Sequence, residues 1–395
     1  MASGRPLRVL HAPALVGGHP GSLAAAERAI GLKSHCVAFR ASPYGYRHDE
    51  TLWDGCDSVW RQEIRRWRLV MRALSSFDVV RFNFGMSIMP AGTDERPPAA
   101  GQARRLWRNL YAAYARALAL EDLPLLKRAG KAVFVTYQGD DARQGDYCRS
   151  HFDIHFAHEV GPGYYTPAGD ARRRAEIAVF DRYADRVYAL NPDLLHVLPA
   201  RAGFLPYASV DPGARHPGAY RPGSRPRPVV VHAPSNRDVK GTRYLVEAAE
   251  RLKAEGVGLD LVLVEGLSNA EAFRLYESAD LAVDQLLAGW YGGYAVEMMA
   301  LAKPVICYIR ESDLGSIPPA MRSQLPVIRA EPATIYGALK EILTAPRERL
   351  AELGAAGRAY AERWHDPARI ARYLRDEYAA ALEERRPGRA SPLAT

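Results

Sequence analysis

Cysteine is scarce. The chain has four in 395 residues, Cys36, Cys56, Cys148 and Cys307, far apart and without a CxxC pair. That spacing argues against a disulfide framework and for a reducing compartment. No apolar run approaches the roughly 18–20 residues needed to cross a bilayer. The early patch VLHAPALVGG is broken by His11 and Pro13, so it reads as a first strand entering a glycine turn rather than as a signal peptide. No period of roughly 20–50 residues recurs, which excludes a solenoid. Zinc-finger, RRM, KH and helix-turn-helix signatures are missing too. The formal charge of +8 therefore does not point to nucleic acid.

What is present is a globular composition, 48% apolar and 25% charged, in a chain long enough for two domains. Much of the excess charge comes from arginines in segments such as RQEIRRWRLVMR and ARRLWRNLYAAYAR. These fit either solvated helix faces or a basic face toward an anionic substrate or a membrane surface carrying one. Short apolar runs alternate with amphipathic segments, the pattern of parallel α/β layers. Strands are expected over 8–12, 79–84, 132–137, 186–190 and 203–206, with helices over 22–30, 61–75, 103–120, 123–129 and 170–184. The proline- and glycine-rich stretch 206–228 breaks every periodicity and reads as a linker. A second series has strands over 229–232, 259–264, 281–284, 304–308 and 326–329. Its helices are expected over 241–255, 269–278, 294–301, 333–344 and 347–363. The expected organisation is a first domain over 1–205, a second over 229–365, a terminal helix over 366–384 and a disordered tail over 385–395.

Two parallel sheets joined by a hinge bind ligands at their strand carboxyl ends, in the cleft between them. The polar residues just after strands are therefore the candidates. Gly17 and Gly18 follow the first strand and lead into a helix whose free N–H groups suit an anion. Their G-G-x-x-G spacing is not the dinucleotide fingerprint, and a simple connecting turn explains them equally well. HAPSNRDVKGT places Ser235, Asn236, Arg237 and Lys240 at the mouth of the second domain. Two cations beside a helix start suit a pyrophosphate; solvated surface charge is the bland alternative. Glu265 and Asp284 end later strands. In GWYGGYAVEMMALAKPVICY, the pair Gly292–Gly293 opens a helix that carries Glu297. That carboxylate suits a helix dipole, a capping bond or the vicinal hydroxyls of a ribose, and spacing alone does not choose.

With these residues in order, the chain resembles the GT-B glycosyltransferases of the large group 1 (family 4-like) nucleotide-sugar transferases. The resemblance is carried by SNRDVKGT, LVLVEG, LYESADLAVDQ and YGGYAVEMMALAKPVICY, and more loosely by Gly17–Gly18, VTYQGDD and YADRVYALNPDLL. It implies an α/β fold of two Rossmann-like domains facing across a cleft, with the terminal helix crossing back. It implies a nucleoside-diphosphate-sugar donor (UDP, dTDP or GDP), a hydroxyl acceptor and no separate cofactor. Glu297 would grip the ribose, the Gly292 and Gly293 amides would meet the distal phosphate or sugar, and Lys240 with Arg237 would hold the diphosphate. Gly17 and Gly18 would close on it from the other domain. Two positions depart from the family pattern. Gly289 stands where the first glutamate of E-x7-E belongs, with Asp284, Tyr291 or Tyr294 as substitutes, and Ser235 stands at the phosphate arginine, with Arg237 as substitute.

The resemblance implies metal-independent transfer, in which fixed cations stabilise the leaving diphosphate. Asp140 and Asp141 of GDD, after a first-domain strand, are candidates for meeting or deprotonating the acceptor, with His19 next. Local capping of the turn by Asp140 and pairing of Asp141 with Arg143 is the structural alternative. Cys148, His151, His155 and His158 cluster in CRSHFDIHFAHE, but Phe152, Ile154 and Phe156 alternate there as in packed strand, so no metal is assigned. An anionic or lipid-linked acceptor, and a cytoplasmic protein peripheral on the inner membrane face, suit the arginine-rich helices. The rival readings are a GT-B sugar-nucleotide epimerase or phosphorylase, and a non-catalytic GT-B binding protein.

Overall fold

The structure, a computed structural model, describes residues 5–55, 57–90, 102–213, 215, 217 and 222–385, with backbone alone at 102–104. Of the tail read at 385–395 only Arg385 is described, and Cys56 lies outside the described residues.

Every strand expected from the apolar runs is present, with ends moved by at most two residues. The first sheet contains β1 (Arg8–Ala12), β2 (Lys33–Ala38), β3 (Glu50–Thr51), β4 (Val79–Asn83), β5 (Ala132–Tyr137), β6 (Arg186–Ala189) and β7 (Gly203–Phe204). All pairs are parallel, in the order β3-β2-β1-β4-β5-β6-β7. Its helices are α1 (His19–Ala29), α2 (Val59–Ser76), α3 (Gln102–Leu118), α4 (Asp122–Arg128), α5 (Gly145–His151) and α6 (Pro167–Tyr183). The second sheet contains β8 (Val229–His232), β9 (Asp260–Leu263), β10 (Leu281–Val283), β11 (Val305–Cys307) and β12 (Ile328–Arg329). It is also parallel, in the order β12-β11-β10-β8-β9. Its helices are α7 (Arg237–Lys240), α8 (Thr242–Ala254), α9 (Asn269–Glu277), α10 (Gly293–Ala300), α11 (Pro319–Ser323), α12 (Ile335–Thr344) and α13 (Glu348–Trp364).

The sequence reading missed β2 and β3. KSHCVA opens with Lys33, Ser34 and His35, polar residues that hide a strand's alternation. Their partners lie elsewhere in the fold: Ser34 donates to Glu27 of α1, and His35 Nε2 lies 3.0 Å from Glu50 of β3. The segment read as strand-like at 152–156 instead follows α5 and enters a 3₁₀ turn at Phe156–His158.

Alternation along the strands sorts the core into two layers. Leu10, Val80, Phe82 and Val133 meet Leu69 of α2, Leu126 of α4 and Phe180 of α6. On the opposite face Val9, Val79 and Phe134 meet Leu23 of α1 together with Leu374 and Tyr378 of α14 (Pro367–Glu384). The terminal helix therefore crosses back onto the first domain. Tyr378 donates to Glu27 at 2.7 Å and Arg186 pairs with Glu377 at 2.7 Å. The start of the stretch read as a linker is held in place. Ala208 N–H donates to His19 Nδ1 (3.0 Å), Ser22 Oγ–H donates to the Ser209 carbonyl (3.0 Å), and His365 Nδ1 lies 2.9 Å from the Tyr207 carbonyl.

Candidate functional site

Loops after the strands of both sheets meet each other, and this defines the cleft. Asn269 N–H donates to the Tyr44 carbonyl, His196 Nε2 lies 2.8 Å from Asp313 Oδ1, and Arg310 Nη2 donates to the Ile154 carbonyl at 2.9 Å.

On the first-domain side the chain turns at Gly17 (φ 61°) and Gly18 (φ 69°), a left-handed pair that suits glycine. Gly18 then stands as the N-cap of α1 with no capping side chain. A β-carbon at Gly18 would lie 2.8 Å from the ring of Tyr46, so the glycine admits that ring. Tyr46 belongs to the loop SPYGYRH and was not singled out from sequence. Burial pushes its phenol up to about 12, and the charge of Glu297 adds to the shift. This aromatic therefore packs on the glycine turn within electrostatic reach of the second-domain carboxylate. The signal in the sequence is Gly45 between Tyr44 and Tyr46, a loop built to present two rings.

The second-domain side centres on Asp284, buried at the end of β10. Its Oδ2 accepts the Gly292 N–H at 2.6 Å, and its Oδ1 lies 3.5 Å from Lys240 Nζ. Lys240 also donates to Gln285 Oε1 at 2.6 Å. Asp284 thus aims Lys240 and fixes the start of α10. The Gly292 amide is committed to Asp284, so the open donors at this helix start begin at Gly293. No side chain caps α10, and a β-carbon at Gly293 would lie 3.6 Å from Ser209 Oγ. Ser209 Oγ is itself buried without a partner. The starts of α1 and α10 therefore flank one short segment at Ser209, and both present positive dipole ends to it.

Glu297 sits half-buried one turn into α10. Its Oε1 accepts from Asn269 Nδ2 at 3.0 Å, leaving Oε2 without a recorded bond. Burial pushes its carboxyl up to about 7; Asn269 and Arg215 pull against that, and Asp284 adds to it.

Arg237 and Lys240 diverge although both belong to α7. Lys240 turns inward, while Arg237 is exposed and doubly paired with Glu265, Nε to Oε1 at 2.9 Å and Nη2 to Oε2 at 2.6 Å. Two expected donor ligands thus hold each other at the rim. Ser235 is exposed, and Asn236 Oδ1 caps α7 by accepting from Asp238 and Val239. Tyr291 is not a cleft residue. It is fully buried, with its hydroxyl 2.9 Å from His365 Nε2 and 3.2 Å from Tyr360. Tyr294 donates to the Val231 carbonyl at 3.0 Å.

The acceptor-side candidates are tied into the scaffold. Asp140 accepts from Tyr165 at 2.6 Å and from Tyr164, and lies 3.6 Å from Arg143. Each of its oxygens therefore already accepts one tyrosine hydroxyl. Asp141, not Asp140, caps the turn by accepting the N–H groups of Gln138 and Gly139. Burial pushes its carboxyl up to about 7. His19 is fully buried, and burial with the nearby Arg81 holds its pKa well below the usual value. It is neutral, and since Nδ1 accepts from Ala208, the proton is on Nε2, which has no partner. Of the three, His19 keeps an uncommitted polar atom beside the glycine turn. His155 accepts from Ala157, and the His158 and His151 rings bond to backbone. No group of three or more metal-ligating side chains forms among the described residues.

No family model matches the chain, and no curated protein matches it by sequence. Solved structures do match it. Sucrose-phosphate synthase from Thermosynechococcus elongatus superposes with a TM-score of 0.58 at 15% identity, over 96% of this chain and all of that one. A glycosyltransferase from Rickettsia africae gives 0.55 at 12%, over 96% and 100%. UDP-N-acetylglucosamine 2-epimerase gives 0.50 at 11%, over 99% and 100%. Such identities speak to fold. Two parallel Rossmann-like domains facing across a cleft, closed by a helix that returns to the first, make this the GT-B fold.

Proposed function

We propose that the protein is a glycosyltransferase that moves a sugar from a nucleoside-diphosphate donor to a hydroxyl acceptor without a metal. The observation that carries this reading is the meeting of two uncapped helix starts, α1 at Gly18 and α10 at Gly292, beside Lys240 and a half-buried Glu297. Two positive dipole ends and one ammonium suit a diphosphate, and a carboxylate one turn away suits a ribose diol. Lys240, held on Asp284, would stabilise the charge that grows on the leaving diphosphate as the sugar becomes oxocarbenium-like. Arg237 would add to it only by leaving Glu265. Gly17 and Gly18 would close on the diphosphate, and His19, the next residue, holds an unpartnered Nε2–H behind them. UDP, dTDP and GDP are the candidate nucleotides, and an anionic or lipid-linked alcohol is the candidate acceptor. The expected location is cytoplasmic, peripheral on the inner membrane face; among the described residues no helix is long and apolar enough to cross a membrane.

The test is thermal unfolding with UDP, dTDP, GDP, ADP and NAD, on the wild type and on Glu297→Ala. A nucleotide at a hundred times its dissociation constant should stabilise the wild type by about 2.7 kcal/mol. One nucleoside diphosphate acting on the wild type alone supports the ribose grip; release of that nucleotide from its sugar donor then shows transfer. A shift that survives loss of the carboxylate overturns the assignment of Glu297. The epimerase among the structural neighbours keeps one rival in play. Conversion of the donor sugar with no nucleotide release would favour it.

A further inference from the structure

A groove of about 1370 Å³ lies between α2 and α3 of the first domain. The two helices run side by side in parallel register. Trp60 meets Trp107 edge-to-face with ring centroids 5.4 Å apart, Tyr111 donates to Glu63 at 2.7 Å, and Trp67 Nε1–H donates to Tyr114 at 2.9 Å. Tyr114 in turn donates to Glu63 Oε2 at 2.9 Å. The floor's polar groups are thereby satisfied internally, and what they present upward is ring surface.

The walls are apolar and exposed. Trp60, Ile64, Trp67 and Met71 follow i, i+4, i+7, i+11 spacing, and Trp107, Leu110, Tyr111 and Tyr114 follow i, i+3, i+4, i+7. Relative exposure is 64% at Trp60, 60% at Met71 and 56% at Leu110. A contiguous patch of this kind on a monomer marks a contact surface. Its rim is rich in arginine, although Arg65 pairs with Asp57, Arg66 with Glu63 and Arg72 with Glu50. The α2 span holds five arginines against one glutamate and the α3 span four arginines with no acid. Together they give +8, which equals the formal excess of the whole chain. Arg61, Arg68 and Arg105 are exposed and have no ion pair among the described residues.

We infer that this face seats the protein on an anionic lipid bilayer, with the groove accepting lipid acyl chain and the arginines meeting headgroup phosphates. An apolar groove, tryptophans at the mouth and unpaired arginines beside it are the features of an interfacial helix pair. A protein partner would have to present an apolar ridge inside a continuous acidic collar, whereas a bilayer of anionic lipids supplies both at once. Topology gives the contact a purpose. In a parallel α/β unit the helices run against the strands, so the Trp60–Trp107 end of the groove lies at the carboxyl edge of the sheet, beside the cleft. The surface thus holds the acceptor side of the cleft at the membrane. This deepens the lipid-linked acceptor of the proposed function and rests on that reading only for what is glycosylated.

The experiment is flotation of the full-length protein with vesicles of pure phosphatidylcholine and of phosphatidylcholine mixed with phosphatidylglycerol, in the absence of any nucleotide. Partition should favour the anionic vesicles by at least about tenfold and fall with added salt. Arg61→Gln/Arg68→Gln/Arg105→Gln should weaken binding to anionic vesicles by roughly two orders of magnitude. Trp60→Ala/Trp107→Ala, at exposed positions, should weaken it as well, and wild-type tryptophan emission should shift to the blue on binding. Equal partition into both vesicle types, insensitivity to both sets of substitutions, or burial of this face in a dimer seen by light scattering would overturn the inference. Because no nucleotide is present, failure here leaves the donor site untouched. Vesicle binding by a protein that no nucleoside diphosphate stabilises would instead count against the transferase alone.

Discussion

The guanidinium of Arg310 occupies the space in front of Gly289. A β-carbon on residue 289 would lie 2.6 Å from Arg310 Nη1, and the glycine holds φ at +82°. Arg310 is not free to move aside, since it pairs with Asp313 at 2.9 Å, donates to the Ile154 carbonyl and stacks on Phe152 at 3.7 Å. The position where the resembled family has a sugar-binding glutamate has become part of an inter-domain clasp. Restoring that side chain by Gly289→Glu should therefore destabilise. The backbone term alone is about 1–2 kcal/mol, with the displaced arginine adding to it. Urea unfolding reads this directly. A variant as stable as the wild type would show that Arg310 yields easily. Adding Arg310→Ala should relieve the clash but strip buried Asp313 of its partner, so the double variant should stay less stable than the wild type.

Glu297→Gln separates binding from stability. The carboxyl is raised from its ordinary value to about 7 by burial, so the folded state holds its proton while the unfolded chain has lost it. Stability from this group is therefore present below about pH 4.5 and lost as pH rises to about 7. A glutamine pays no such cost. The variant should match the wild type near pH 4 and exceed it near pH 8, by at most about 3 kcal/mol. A ribose diol would donate to the ionised form, so nucleotide affinity of the wild type should rise with pH through about 7, and the variant should show neither the affinity nor the slope. Calorimetric titration across that range checks both. A pH-independent affinity would remove Glu297 from the ribose.

Lys240→Met keeps the stem and removes the ammonium that faces Asp284 at 3.5 Å. If that charge acts on the leaving diphosphate, kcat for nucleotide release should fall by about 10²–10³ with little change in KM. Arg237→Gln, at an exposed residue already paired with Glu265, should lower kcat/KM by less than about tenfold. The opposite ranking would place Arg237 at the diphosphate in the working enzyme.

The fold was legible because its signals are local. Runs such as VVVH and AVFVTY are apolar whatever they pack against, and all strands of that kind sit where their composition puts them. β2 was not legible, because Ser34 and His35 make sense only once Glu27 and Glu50 are beside them. The site divides in the same way. Asp284 was visible as a polar residue at a strand end, and Lys240 and Glu297 as charges at the helix starts that follow strands. Which of them faces the cleft depended on pairings across 28 to 45 positions of chain, such as Asn269 with Glu297 and Lys240 with Gln285. Tyr291 was misplaced for that reason, since its partners Tyr360 and His365 come from α13 and the residue just after it.

Tyr378 ties the terminal helix to the first domain through Glu27. Its hydroxyl donates to Glu27 Oε1 at 2.7 Å, while Oε2 lies 2.8 Å from His11 Nε2 and also accepts from Ser34. Burial alone would raise the Glu27 carboxyl, but His11, Ser34 and Tyr378 outweigh it and hold it below the ordinary value. A depressed carboxyl contributes stability above its unfolded value, and that contribution is lost as pH falls through the folded one. Tyr378→Phe leaves one oxygen of a buried carboxylate without its donor. It should cost about 1–3 kcal/mol near neutral pH, and the gap between variant and wild type should narrow below about pH 4 as Glu27 takes up a proton in both. Nucleotide binding should be unchanged, because Tyr378 meets α1 at Glu27, near the end opposite Gly18. Denaturant unfolding at the two pH values measures the gap. A constant difference would assign the loss to packing of α14 rather than to the charge it holds.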